Sequence, residues 1–242
     1  MVSEFKARLL REKPTHLDWQ SYYKKQAGIL PVGPLQRFYQ AGIIAADCPL
    51  NTVPMISIDL ETTGLNSKKD TIISFGSVNM TSHRIQCGSA KYWMVKPSSP
   101  LLSESVTIHE ITHSDIADSP DLSSCFEAIL QTLSGKVVIV HCAAIERHFL
   151  YQAAKKLYGQ DFYFPIIDTM ALEHNILKKR PLWPRLFNKS ESLRLDACRQ
   201  RYRLPSYKAH HALTDAFSSA ELLQAQVAHH FDHEDVIGRY WV

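Results

Sequence analysis

Residues 55–65, Met-Ile-Ser-Ile-Asp-Leu-Glu-Thr-Thr-Gly-Leu, form an apolar run that ends in two acids one residue apart and then turns at Gly64. In a strand, residues i and i+2 share a face, so Asp59 and Glu61 present two carboxylates side by side at the strand's C-terminal end. Like charges that close repel unless a cation sits between them. Strand C-termini are where α/β sheets place ligands, and two convergent carboxylates suit a hard divalent ion such as Mg2+ or Mn2+. The alternative is that Asp59 caps a turn while Glu61 is solvated.

Outward from this run, residues 71–80 (TIISFGSVNM) and 84–95 (RIQCGSAKYWMV) read as two further strands, and the turn-rich pieces between them suit an antiparallel meander. Apolar spacing then predicts a helix over 121–133, stopped by Gly135, followed by a strand over 136–141 and a helix over about 145–158. A short strand at 164–168, a helix from about 169 and a long helix through 211–230 complete the pattern. A meander followed by strands alternating with helices predicts an α/β domain with a mixed five-stranded sheet flanked by helices. Before it, residues 1–53 carry helical spacing around Pro31 and Pro34, which predicts a helical N-terminal extension to a domain over 54–242.

A chain of 242 residues with 45% hydrophobic content is able to bury a proper core. No apolar run approaches the ~20 residues of a bilayer span, and the first residues lack the apolar stretch of a signal peptide, so a cytoplasmic address is expected. Cys48, Cys87, Cys125, Cys142 and Cys198 are far apart and contain no CxxC pair, which suggests neither a zinc site nor a disulfide framework. The net charge is only +3, but between Lys178 and Lys208 ten basic residues face two acidic ones. With Trp183, Phe187, Tyr202 and Tyr207 among them, these charges suit a polyanion with stacking bases; a solvated helix face is the alternative.

Two more acids lie near predicted element ends. Glu146 falls in the first turn of the helix after His141, where the helix dipole alone accounts for an acid. Asp215 begins an apolar helical face of Ala212, Ala216, Ala220 and Leu223, and a buried acid needs a partner. By spacing, His211 is an intrahelical neighbour of Asp215, whereas His210 projects from the preceding loop.

Together these motifs resemble the DEDDh family of 3'-5' exonucleases, relatives of the proofreading epsilon subunit of bacterial DNA polymerase III, on a ribonuclease H-like fold. The resemblance covers roughly residues 54–230. DLETTG at 59–64 matches the first family motif; HCAAIE at 141–146 keeps His141 of the second but has Cys142 for the usual Asn and Glu146 for the usual Asp. HHALTD matches the third through His210 and Asp215, and TIHEITHSDI is similar to a His-Gly-Ile-Thr piece, with Glu110 where Gly is common.

The resemblance implies two Mg2+ or Mn2+ ions, about 3.5–4 Å apart, held by Asp59, Glu61, Glu146 and Asp215. It implies His210 as the catalytic base, and Thr62, Thr63, Leu65 and His141 as residues binding the substrate. The expected partner is nucleic acid with a free 3' end, DNA before RNA, cut to nucleoside 5'-monophosphates. A protein partner on the N-terminal helices is a further expectation. A catalytically weakened nucleic-acid-binding module, or an accessory subunit on the same fold, is the competing reading.

Overall fold

Alternating side chains and β-branched residues build five strands: β1 (Met55–Thr62), β2 (Ile72–Met80), β3 (Lys91–Met94), β4 (Val137–Val140) and β5 (Ile166–Asp168). The computed structural model of the chain describes residues 18–97, 111, 113–179 and 191–241. Its helices are α1 (Trp19–Ile29), α2 (Pro34–Gln40), α3 (His113–Ile116), α4 (Leu122–Leu133), α5 (Ala143–Tyr158), α6 (Thr169–Lys179), α7 (Leu195–Arg201) and α8 (Ala212–His230).

The strands pair in the order β3-β2-β1-β4-β5, with β1 antiparallel to β2 and parallel to β4. The expected mixed five-stranded sheet is therefore present. The third expected strand shortens to 91–94, because Cys87–Ser89 forms a tight 3-10 turn ahead of it. Helix α7 was not anticipated in the basic stretch, and residue Glu110 lies outside the described residues.

β1 is paired unevenly, and this places the site. Against β2 it is matched from Met55–Met80 to Thr62–Ile72, whereas against β4 the ladder runs only from Met55–Val137 to Ser57–Ile139. Beyond Ser57 the strand projects past its parallel neighbour, so Asp59 and Glu61 stand beside the N-terminal end of α5, which follows β4.

The two faces of β1 differ in kind. Ile56, Ile58 and Leu60 enter the main apolar core with Phe126, Ile129 and Leu130 of α4 and Phe149 and Leu150 of α5. Ser57, Asp59 and Glu61 point to the other face, where α8 lies across β1 and β2. Small residues allow the close approach, Ser74 and Gly76 on β2 and Ala212, Ala216 and Ala220 on α8. Gly76 stands directly opposite Asp59, and a Cβ at Gly76 would lie 2.3 Å from the Ala212 carbonyl carbon and the Leu213 nitrogen.

The expected N-terminal helices are present as α1 and α2, and their apolar side chains join the same core as the sheet. Trp19, Tyr23, Leu35, Phe38 and Tyr39 are buried, and Phe38 meets Phe162 edge-on at 5.0 Å between ring centres. The Tyr39 hydroxyl donates to the Tyr163 carbonyl at 3.0 Å and accepts from the Tyr163 amide at 3.1 Å.

Replacing Gly76 by Ala forces backbone against backbone, so α8 must move away from β2. We expect Gly76→Ala to lower stability by about 1–3 kcal/mol in a denaturant titration, and to weaken divalent-cation binding because Asp215 moves with α8. Val78→Ala, on the same strand, should lose stability without the change in cation affinity.

Candidate active site

Four carboxylates from three separate segments converge at the projecting end of β1. Asp59 and Glu61 arrive on the strand, Glu146 on the first turn of α5, and Asp215 on the first turn of α8. Burial and the charges of Glu61, Glu146 and Asp215 together push the Asp59 carboxyl far above its ordinary range. Glu146 is buried, and loss of hydration raises it to about 8, with Asp168 and Glu61 adding to the shift. Burial likewise raises Asp215, partly offset by a hydrogen bond from the His210 amide.

One oxygen of this set has no partner: Glu146 Oε2 is buried without a hydrogen bond. Such an orphaned acceptor, among acids that raise one another, is what a carboxylate site for a hard cation looks like before the cation is supplied. Glu61, His210 and Asp215 each offer a ligand atom within 4.8 Å of the others. The donor set therefore fits a divalent metal.

His210 sits in the loop before α8 with a left-handed backbone (φ 67°), and its amide donates to Asp215 Oδ2 at 2.8 Å. His211 caps the helix through its carbonyl, which accepts the Asp215 amide at 2.9 Å, while its ring stacks on Tyr92. The expected intrahelical neighbour His211 thus meets Asp215 through the backbone, and the charge of its ring also acts to lower the Asp215 carboxyl.

The remaining predicted residues are placed less uniformly. Thr62 Oγ1 donates to the Gly64 carbonyl at 2.7 Å, and the Thr63 hydroxyl accepts the Thr71 amide at 3.0 Å. The Thr63 amide is also committed, to the Thr71 carbonyl at 2.9 Å. These groups hold the turn after β1, and Leu65 stands at its tip, 64% exposed. A Cβ at Gly64 would meet the Asp70 carboxylate at 2.5 Å, so a larger residue there would displace that side chain.

Both ring nitrogens of His141 are used within the chain, with Thr169 Oγ1 and the Leu193 carbonyl each at 2.8 Å. Burial lowers the pKa of this ring; the Leu193 carbonyl can only accept, so Nε2–H donates to it, while Nδ1 lies against the Thr169 hydroxyl, which itself donates to the Val140 carbonyl at 2.9 Å. As placed, His141 positions the β4–α5 turn and has no nitrogen left for a substrate.

Sequence reasoning passed over Asp168, which organises that turn. Its Oδ1 accepts the amides of Cys142 (3.1 Å), Met170 (2.9 Å) and Ala171 (3.3 Å), and its Oδ2 accepts the Ala143 amide at 2.9 Å. One buried carboxylate thereby holds the starts of both α5 and α6, satisfying amides that have no partner inside a helix. Cys142 is held at φ 109°, a left-handed conformation unfavourable for a side chain with a Cβ. The only signal in the sequence was an acid immediately before a helical pattern at 169.

The ten basic residues of 178–208 do not form one free surface. Residues 180–190, with Trp183 and Phe187, lie outside the described residues. Arg199 is buried, and its guanidinium meets the Ser218 and Pro205 carbonyls and Glu221. Arg201 is paired with Glu173, whose other oxygen accepts from the Tyr202 hydroxyl.

A mixed sheet with helices on its faces and an acid cluster at the end of its central strand is the ribonuclease H-like architecture. Within that class, residues 56–223 match the family described as Exonuclease (RNase_T), and the chain belongs to that family. It is 26% identical over 204 residues to the PolC-type DNA polymerase III of Thermotoga petrophila, covering 82% of this chain and 14% of that polymerase. It is 28% identical over 183 residues to the DNA polymerase III subunit epsilon of Buchnera aphidicola subsp. Schizaphis graminum, covering 71% of this chain and 73% of that subunit. The fold is similar to the nuclease domain of 3'hExo, a DEDDh family member solved bound to rAMP, with a TM-score of 0.59 at 14% identity over 72% of this chain and 92% of that one. Among the described residues no helix is long and apolar enough to cross a membrane.

Two predictions follow from this geometry. In the folded, metal-free chain Glu146 keeps its proton to about pH 8, whereas an ordinary glutamate loses it near 4.5. Its contribution to stability is therefore present at acid pH and lost as pH rises through this window. Thermal unfolding of the metal-free protein should show a midpoint that falls over this range, with a shallower fall in Glu146→Gln, and Mg2+ should raise the midpoint more at the alkaline end. Separately, Asp168→Ala should lose about 2–3 kcal/mol in denaturant titrations and weaken cation binding by releasing the first turn of α5, while Asp168→Asn keeps part of both.

Proposed function

We propose that this chain is a metal-dependent 3'-5' exonuclease that shortens a polynucleotide from its 3' end and releases nucleoside 5'-monophosphates. The observation that carries the reading is the convergence of Asp59, Glu61, Glu146 and Asp215 at the end of one strand, with Glu146 Oε2 buried and unpartnered. Membership of the exonuclease family supports it. The chain spans 14% of the first polymerase relatives it matches, so no role in replication is carried over from them.

In this reading the four acids hold two divalent ions, Mg2+ or Mn2+. Bound there, such ions supply Lewis-acid activation of a water and stabilisation of the leaving 3' oxygen. His210, exposed at the mouth of the cluster, takes the proton from the attacking water as general base. Its left-handed backbone and amide bond to Asp215 go with a ring nitrogen lying within 4.8 Å of carboxylate oxygens of Glu61 and Asp215. Leu65 offers an apolar surface to the terminal base, on a turn held by Thr62 and Thr63.

DNA is the favoured substrate and RNA the second. We keep residues 54–242 as the exonuclease domain and 1–53 as its extension, a boundary supported by the start of the family match at 56. The apolar side chains left exposed near α1, Ile29 and Val32, support a protein partner on that extension. A cytoplasmic setting is supported by the five unpaired cysteines.

The test uses 5'-labelled DNA and RNA oligonucleotides with Mg2+, Mn2+ or EDTA. A ladder shortening from the 3' end, lost in EDTA and slowed more than about 100-fold in Asp59→Ala, is expected. Binding without shortening in either metal, with shortening restored in Glu146→Asp, would instead favour a nucleic-acid-binding module whose second motif has drifted.

A further inference from the structure

Helix α5 links the acid cluster to a second feature. Three residues after Glu146, Phe149 begins the lining of an open groove of about 580 Å³ that continues through Gln152, Ala153 and Lys156. The facing wall is the turn after β1, residues 67–72, which the Thr63 hydrogen bonds with Asp70 and Thr71 tie to the strand carrying Asp59 and Glu61. The groove and the cluster thus have two supporting elements in common, β1 with its turn and α5.

The floor is apolar, with Ile72 and Phe149 buried beside Leu122, Ala153 and Leu157. The rim is basic: Lys68, Lys69, Lys96, Lys155 and Lys156 are all exposed there, against Asp70 and Asp121. Asp70 is occupied by the Asn66 amide at 2.8 Å, and Lys155 by Asp161 at 3.0 Å. Among the described residues, Lys68, Lys69, Lys96 and Lys156 have no carboxylate partner. Such a rim invites an anion with repeated charges, and the apolar floor suits the flat face of a base or sugar.

We propose that this groove holds the sugar–phosphate backbone of the substrate strand, upstream of the nucleotide being removed. The inference rests on the exonuclease reading and extends it to a second contact region. Along α5 the ten residues from Glu146 to Lys156 span about 15 Å at 1.5 Å per residue. A stacked strand advancing about 3.4 Å per nucleotide covers that distance in about four nucleotides. The groove therefore sets a length requirement: strands shorter than this reach the acids but not the lysines.

The experiment compares the wild type with the double variant Lys68→Gln/Lys156→Gln and with Lys24→Gln/Lys25→Gln, which removes the same charge from exposed positions on α1. Fluorescence anisotropy in EDTA, without turnover, measures binding of a labelled trinucleotide and of a strand of about twelve nucleotides across a salt series. For the longer strand, removing two phosphate contacts should weaken binding at low salt and make the log Kd against log salt slope shallower by about 1.4. The trinucleotide should bind both forms alike, and the α1 variant should follow the wild type. Equal loss on both lengths, or unchanged binding of the longer strand as expected of a groove for an acidic protein, would overturn the proposal. A chain that binds long strands through these lysines yet never shortens them would sink the exonuclease reading while leaving the groove's assignment intact.

Discussion

The carboxylates at the end of β1 repel one another, and the elements around them hold them together against that repulsion. Asp59 carries the effect most clearly, raised by burial and by three acidic neighbours at once. Each neighbour is fixed by a different device. Gly76 admits α8 against the sheet and brings Asp215 within reach; Asp168 pins the first turn of α5 and with it Glu146; Glu61 is held opposite Ser74 on the β1–β2 ladder, just before the bulge at Thr62. A site built this way is costly without a cation and ready for one, because the carboxyl groups already stand in position and a bound cation would favour the charged forms that burial and mutual repulsion disfavour.

Behind the cluster lies a polar network that ties three helices together. Glu173, fully buried on α6, accepts from Arg201 Nε at 2.7 Å, Tyr202 Oη at 2.9 Å and Gln226 Nε2 at 2.9 Å. Gln226 belongs to α8 and also donates to the Thr169 carbonyl, so α6, α7 and α8 share one set of hydrogen bonds. Buried ion pairs of this kind add little net stability but are expensive to break, which makes them suited to fixing orientation. The arginines that looked like a surface for polyanions are in part the internal fasteners of the helices flanking His210.

Among the described residues a second basic surface lies on lysines of the β1–β2 turn and of α5. Lysine suits an exposed rim because its charge stays hydrated at the end of a flexible stem, whereas arginine's planar fork suits the multiply bonded positions of buried Arg199 and half-buried Arg201. At the opposite end of the chain, the aromatic cluster of Tyr23, Phe38, Tyr39 and Phe162 joins the N-terminal helices to the approach to β5. These helices thereby brace the strand that ends in Asp168.

Much of the frame was legible in the sequence because it rests on local periodicity. The meander, the alternation after 121 and the two acids sharing a face of β1 follow from side-chain spacing, and the resemblance carried by DLETTG and HHALTD named the fold. What depends on distant partners was not legible. Alternation alone could not say that Gly76 would face the start of α8, that Asp168 would cap two helices, that His141 would use both nitrogens internally, or that Arg199 would be buried. The sequence by itself determined which residues are acidic, which face each takes on its own element, and where the elements begin. Tertiary structure alone decided which of those groups meet, because convergence and desolvation depend on residues more than a hundred positions apart in the chain.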